Sequence, residues 1–218
     1  MGTPHVPFSG KMWFMRSLRY LLLLAAAAPA VAHADTAISF DKVAAAQVPA
    51  ALKPKGAVDL AWHWKDKNGD NYLVTSSRDA QGESDRSSYL YVVHGACQGT
   101  NCRPLRQVKD LVEQCSEDIT LDFDPSTVTV TDLDANGYSE VAFVYRLSCR
   151  GDISPNDQKL MLLTNGQKYA VRGSEKAVID GQKVGGEMRP DPAFKKAPAA
   201  FLAHAKALWK KYTPTKKY

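Results

Sequence analysis

The chain has 218 residues, with 28 Lys and Arg against 23 Asp and Glu, 44% apolar residues, 14 Gly, 12 Pro and four Cys. This composition excludes collagen-like, coiled-coil and disordered classes, and the length suits one ordinary domain with a small appendage. A formal net charge of +5 invites a nucleic-acid or membrane-surface reading, so where that charge sits has to be settled first.

Lys11, Arg16 and Arg19 precede an uncharged run over residues 21–28, followed by Pro29 and Ala32-His33-Ala34. Basic start, short apolar core and small residues at the first and third positions of the last triplet are the layout of a secretory signal peptide over residues 1–34, with cleavage expected before Asp35. The apolar core falls short of the ~20 residues needed to span a bilayer. No cysteine lies near the cleavage point, which argues against a lipid anchor, and Met12 and Met15 are alternative starts. The expected location is periplasmic or secreted. Cleavage removes three basic residues and no acidic ones, leaving 184 residues with 25 basic and 23 acidic side chains. Residues 193–218 hold seven Lys and no acid, so the body over 35–192 has 18 basic against 23 acidic residues, a net −5. A basic surface for nucleic acid is not expected.

Residues 35–56 read as a helical or irregular lead-in ending at Lys53-Pro-Lys-Gly56, and residues 57–218 as a single β-rich domain. Val58, Leu60, Trp62 and Trp64 alternate with polar neighbours as in a half-buried strand. Asp66-Lys-Asn-Gly69 is a turn, and residues 72–76 return as a second strand. Residues 78–85 read as polar loop, residues 88–94 as a third strand, and residues 105–112 as a fourth strand or a short helix. In the second half, residues 127–130 are strand-like by their β-branched content. Val141, Phe143, Tyr145 and Leu147 share one strand face. Residues 160–164 and 167–171 flank Asn165-Gly166, the pair that a type I′ hairpin turn requires. Residues 176–192 are Gly-rich and loop-like. Phe201, Leu202, Ala205, Leu208, Trp209 and Tyr212 recur at helical spacing, predicting an amphipathic helix over 199–212 that packs on the sheet; a membrane-surface helix is the other reading. Asp66-Lys-Asn-Gly69 and Asp134-Ala-Asn-Gly137 look like copies 68 residues apart. The fold expected is therefore mainly β: two antiparallel, blade-like meanders in sandwich-like packing, with a C-terminal amphipathic helix. Two blades cannot close a propeller.

An even cysteine count in an exported chain reads as two disulfides with three possible pairings. The favoured one joins Cys97 to Cys102 around a Gly-containing loop and Cys115 to Cys149 across two strand ends. A zinc site using His94, Cys97, Cys102 and Cys115 lacks a tight paired-cysteine spacing.

The most chemical segment is Thr131-Asp-Leu-Asp-Ala-Asn-Gly-Tyr-Ser-Glu140. Asp132, Asp134, Asn136 and Glu140 stand at positions one, three, five and nine, with Gly137 at six and the Tyr138 carbonyl at seven. Converging hard oxygens are what Ca²⁺ takes. Position twelve is Phe143, so the segment is not an EF-hand. It resembles the calcium loops of integrin-type FG-GAP and VCBS-like propeller blades, over roughly residues 131–171. That resemblance implies a structural Ca²⁺ held by Asp132, Asp134, Asn136, Tyr138 and Glu140. The earlier copy has Trp64 and Tyr72 where Asp132 and Glu140 stand, and should be metal-free. The other reading of the segment is a polar turn held by Asx-type hydrogen bonds.

Taken with Trp64–Tyr72, Cys149-Arg-Gly-Asp-Ile-Ser-Pro155, Lys168–Gly173 and the Phe201 to Trp209 end, the loop resembles a family of exported bacterial proteins loosely labelled surface polysaccharide biosynthesis. The resemblance implies an envelope setting, with envelope polysaccharide or an envelope protein as partner, and no mechanism. Arg150-Gly-Asp152 matches an adhesion tripeptide, though a turn explains it. Trp62, Trp64, Tyr89 and Tyr91 could stack on sugars, but their alternation assigns them to the core. His63 and His94 are expected at the sheet surface. The common hydrolase, nucleotide and metalloprotease motifs are absent. The leading functional expectation is a non-enzymatic envelope module. The alternative is a polysaccharide-acting hydrolase whose acids assemble only in space, which a cleft with two converging carboxylates would favour.

Overall fold

The computed structural model describes residues 1, 2, 5 and 36–218. The expected leader and its cleavage point before Asp35 lie outside the described residues, apart from Met1, Gly2 and His5. Period-two patterning in each half of the chain produces one antiparallel meander per half. The first holds β2 (Asp41–Lys42), β3 (Leu60–Asp66), β4 (Gly69–Gln81), β5 (Arg86–Gln98) and β6 (Asn101–Cys115), in that spatial order. The second holds β1 (Thr36–Ala37), β7 (Asp118–Asp132), β8 (Glu140–Arg150), β9 (Asp157–Thr164), β10 (Gln167–Ser174) and β13 (Met188–Pro190). A smaller sheet is ordered β12 (Gln182–Gly185), β11 (Lys176–Ile179), β14 (Thr215–Lys217), with β14 parallel to β11. The helix α1 (Ala199–Tyr212) has the predicted bounds.

The architecture is mainly β and sandwich-like. Trp62, Trp64, Leu73, Leu90 and Val92 of the first sheet bury against Val130, Val141, Phe143, Tyr145, Met161 and Leu163 of the second. Strand β8 is apolar on both faces, because its other side, Ala142 and Val144, lies with Leu160, Leu162 and Val171 under Phe201, Ala205, Leu208 and Trp209 of α1. The helix stripe is thus spent on the sheet, as apolar burial of this size favours. The lead-in forms two short 3₁₀ turns and seats Val48 and Leu52 on Ala61 and Val74, the outer side of the first sheet. Its strands β1 and β2 pair with opposite sheets, so this segment ties the two together.

Both expected disulfides are present. Cys97–Cys102 closes the β5–β6 hairpin, and Cys115–Cys149 joins the two sheets. Among the described residues no cysteine is free, which removes the zinc reading of His94, Cys97, Cys102 and Cys115.

Three local expectations are corrected, and one open reading is decided in favour of strand. Residues 78–85 are not a long loop: β4 and β5 run to Gln81 and from Arg86, joined by a short turn. Residues 105–112 are strand throughout. Residues 176–192 contain three strands, with Asp180 and Gly181 at positive φ in the β11–β12 turn. Tyr89 and Tyr91 do not join the core. They are half-exposed on the outer face while Leu90 and Val92 point inward. The Asn165-Gly166 turn forms as expected, with φ of 38° and 82°. No described helix is long and apolar enough to cross a membrane.

Candidate functional site

The two similar turns, one from each sheet, pack against each other. The β3–β4 turn offers Lys67, whose backbone N–H donates to the Gly137 carbonyl at 2.8 Å and whose Nζ donates to the Asn136 carbonyl at 3.0 Å. Gly137, at φ 84°, lies under the Lys67 stem, where an added Cβ would stand 3.3 Å from Cδ. This is the one place in the loop where a left-handed backbone and a close neighbour both call for glycine.

Beneath the turns runs a chain of hydrogen bonds between the sheets. Trp64 Nε1 donates to Ser139 Oγ at 2.6 Å, and Ser139 donates to Asp66 Oδ2 through its hydroxyl at 2.6 Å and its backbone N–H at 2.8 Å. Asp66 Oδ1 accepts from the Asn68 amide and from Asn71 Nδ2, each at 2.6 Å. That fixes the Asn71 amide so that its oxygen faces His94 Nε2 at 3.3 Å. The Nε2–H tautomer follows, leaving Nδ1 as a buried acceptor with no partner. His94 is fully buried and stacks on Trp64 at 5.5 Å, so its expected place on the sheet surface is corrected. Burial pushes its imidazole down to about 4, with Asp66 pulling the other way. His63 does lie half-exposed, meeting Asp70 Oδ1 at 2.8 Å.

Within the acidic loop the side chains divide. Asp132 accepts from the Asn136 and Gly137 amides, each at 3.1 Å; Asp134 accepts from the Asn136 amide at 3.3 Å and from its Nδ2 at 2.9 Å. Asn136 Oδ1 accepts from the Tyr138 amide at 2.7 Å. These are Asx-type bonds of a polar turn. Glu140 faces inward at 1% exposure, where its Oε2 accepts from the Leu133 amide at 2.7 Å. Oε1 is buried with no regular hydrogen bond. Burial pushes this carboxyl up to about 7, with Leu133 N–H opposing, and the charges of Asp134 and Asp132 adding to the rise. Thr164, opposite in register, also opposes it, without a bond of regular geometry. Among the described residues no three His, Cys, Asp or Glu side chains converge as a metal group. Asp132 and Asp134 stand together at the rim, and Glu140 lies below them.

Of four grooves, the largest holds one carboxylate, Asp79, beside Arg86, and the other three hold none. Arg150 is turned onto its own loop, donating to Asn156 Oδ1 at 2.9 Å and to the Asp152 carbonyl at 2.6 Å. Gly151 and Asp152 stand exposed in the bend that follows β8.

No family model, curated protein or solved structure matches the chain. The inter-sheet network of Asp66, Asn71, His94 and Ser139 escaped sequence reading. Its only advance signal was the repeated Asp-x-Asn-Gly segment, which brought Asp66 and Ser139 to the same end of the sandwich.

Proposed function

We propose that this chain is an exported, non-enzymatic module of the bacterial envelope that binds polysaccharide and carries a structural Ca²⁺ loop. The observation that carries the reading is the disposition of its acids. Among the described residues Glu140 is the one carboxyl pushed up toward neutrality; it is buried, and it lines none of the four grooves described above. General acid catalysis on a glycoside needs two carboxylates roughly 5–10 Å apart across a substrate cleft. Binding needs only a shaped surface.

Glu140 Oε1, buried close to Asp132 and Asp134 and met by Thr164 without a bond of regular geometry, supports the calcium part, because carboxylate oxygens gathered in one place suit a hard cation. Asp132, Asp134, Asn136, Glu140 and the Tyr138 carbonyl are the residues that would hold the ion. Bound there, it would neutralise charge and brace the β7–β8 loop.

Thermal melting tests this directly. Calcium should raise the melting temperature, and Asp134→Ala should abolish the rise. An unchanged melt between calcium and EDTA removes the metal from the reading. Incubation with envelope polysaccharide should give a complex with no new reducing ends; release of reducing ends would favour the hydrolase instead.

A further inference from the structure

We propose that the groove between the lead-in and the β5–β6 edge, on the outer face of the first sheet, binds an acidic polysaccharide by seating one charged sugar ring of the chain. This inference rests on the polysaccharide reading above and assigns it a surface and a ligand charge. The groove, of about 200 Å³, is lined by Lys53 and Lys55 from the lead-in, Tyr91 from β5, and Pro104, Gln107 and Lys109 from β6, with no acid among its lining residues. None of the three lysines has an ion-pair partner among the described residues. The body that carries them is otherwise acidic, at net −5 over residues 35–192. Three unpaired ammonium groups gathered on such a body make a local attraction for anions that net charge conceals.

The backbone on both sides of the groove is fixed before any ligand arrives. Leu52 is fully buried, and Ser76 Oγ donates to the Lys55 carbonyl at 2.8 Å, so the lead-in cannot swing away freely. Gly95 leaves the room that the Leu52 side chain occupies, since an added Cβ would stand 2.4 Å from Leu52 Cδ2. Such preorganisation lowers the cost of binding. Beyond the groove the surface is mixed in charge: Lys109 Nζ lies 5.4 Å and the Arg78 guanidinium 4.6 Å from the Tyr89 ring centre, while the Tyr89 hydroxyl donates to Glu113 at 2.9 Å.

Size and aromatic content choose the ligand class. The volume is below the ~300–1,000 Å³ of sites for drug-sized molecules, so it takes one ring of a longer chain. Single-stranded nucleic acid is read by successive open aromatic faces. Here Tyr91 is the open ring, while Tyr89 is engaged by Arg78. A carboxylated sugar uses this arrangement fully: its charge meets the lysines, its ring lies on Tyr91, and its hydroxyls reach Gln107.

Affinity electrophoresis of the purified protein through gels containing polygalacturonate or dextran tests the assignment. Polygalacturonate should retard the protein, less so as salt rises, and dextran should retard it weakly. Combining Lys53→Ala, Lys55→Ala and Lys109→Ala should weaken binding at least tenfold with an unchanged melting temperature. Tyr91→Ala should weaken it several-fold without changing the salt dependence. Retardation that survives the triple substitution, or occurs in dextran alone, overturns the groove and leaves the proposed function standing. Equal retardation by oligo-dT overturns the acidic-sugar assignment. Absence of binding to either polysaccharide overturns both.

Discussion

His94 is held neutral by its surroundings, and that has a measurable cost in acid. The unfolded imidazole takes up its proton near the ordinary 6.5, and the folded one only near 4, so between those values the unfolded state binds more protons. Stability is therefore intact above about pH 6.5 and lost as pH falls toward 4, by roughly 3 kcal/mol in all at ~1.4 kcal/mol per pH unit. Urea midpoints at pH 7.5 and 4.5 check this. His94→Gln should lower stability at pH 7.5 and remove most of the drop between the two; a drop of unchanged size assigns it to other groups. Sequence alone could not place this residue. In Ser88–His94 both alternating sets contain aromatic or apolar residues, so the period gives two faces without saying which is inside. Tyr89 and Tyr91 went outward, and Ser88 and His94 inward; the outer position lets the Tyr89 phenol keep a polar neighbour and leaves Tyr91 half-exposed. Tyr89 donates to Glu113 at 2.9 Å.

Among the elements, those whose signal is local were legible and those that depend on partners were not. The 199–212 helix and the Asn165-Gly166 hairpin each carry their own period and punctuation. The β11–β12 hairpin has the equivalent Asp180-Gly181 signal, but its strands are four residues each and mixed in polarity, β12 being exposed throughout, so its glycines dominate the reading. The acidic loop was legible as a constellation and not as a geometry. Spacing places Asp132, Asp134 and Glu140 near one another, yet the strand that begins at Glu140 turns that side chain into the core. For α1 the packing makes a firm prediction. Trp209→Ala, at a position 3% exposed, should cost about 3–5 kcal/mol, read as a lower denaturant midpoint. Removing residues 199–218 should leave an unstable, aggregating chain, since it bares Leu160, Leu162 and Val171 and also takes away β14 with the Lys216–Glu175 ion pair at 2.9 Å. A stable truncated protein that merely lost affinity for lipid vesicles would reverse the helix assignment.

For the molecule as a whole, the disulfides differ in what they restrain. Cys97–Cys102 spans five residues and Cys115–Cys149 spans 34. Chain entropy then favours the longer closure, about 4 kcal/mol against about 2. Replacing Cys115 and Cys149 by Ser should lower the denaturant midpoint more than replacing Cys97 and Cys102; the reverse order would show that local hairpin strain dominates. Intact mass should also fall by about 4 Da relative to the reduced chain, as two bonds remove four hydrogens. The two-sheet division was readable from the halves of the sequence, whereas the lead-in's role as a tie was not, because β1 and β2 are two residues each and have no period to detect.

That tie has a consequence for timing. Thr36 pairs with Asp132, so the first strand of the described body waits for a partner that lies almost a hundred residues further along the chain. In a chain emerging amino end first, the segment next to the expected leader stays unpaired until the second sheet has begun to form. Any protease would meet that segment as unpaired backbone throughout the interval. Once β7 arrives, the same backbone becomes an edge strand and the opportunity closes.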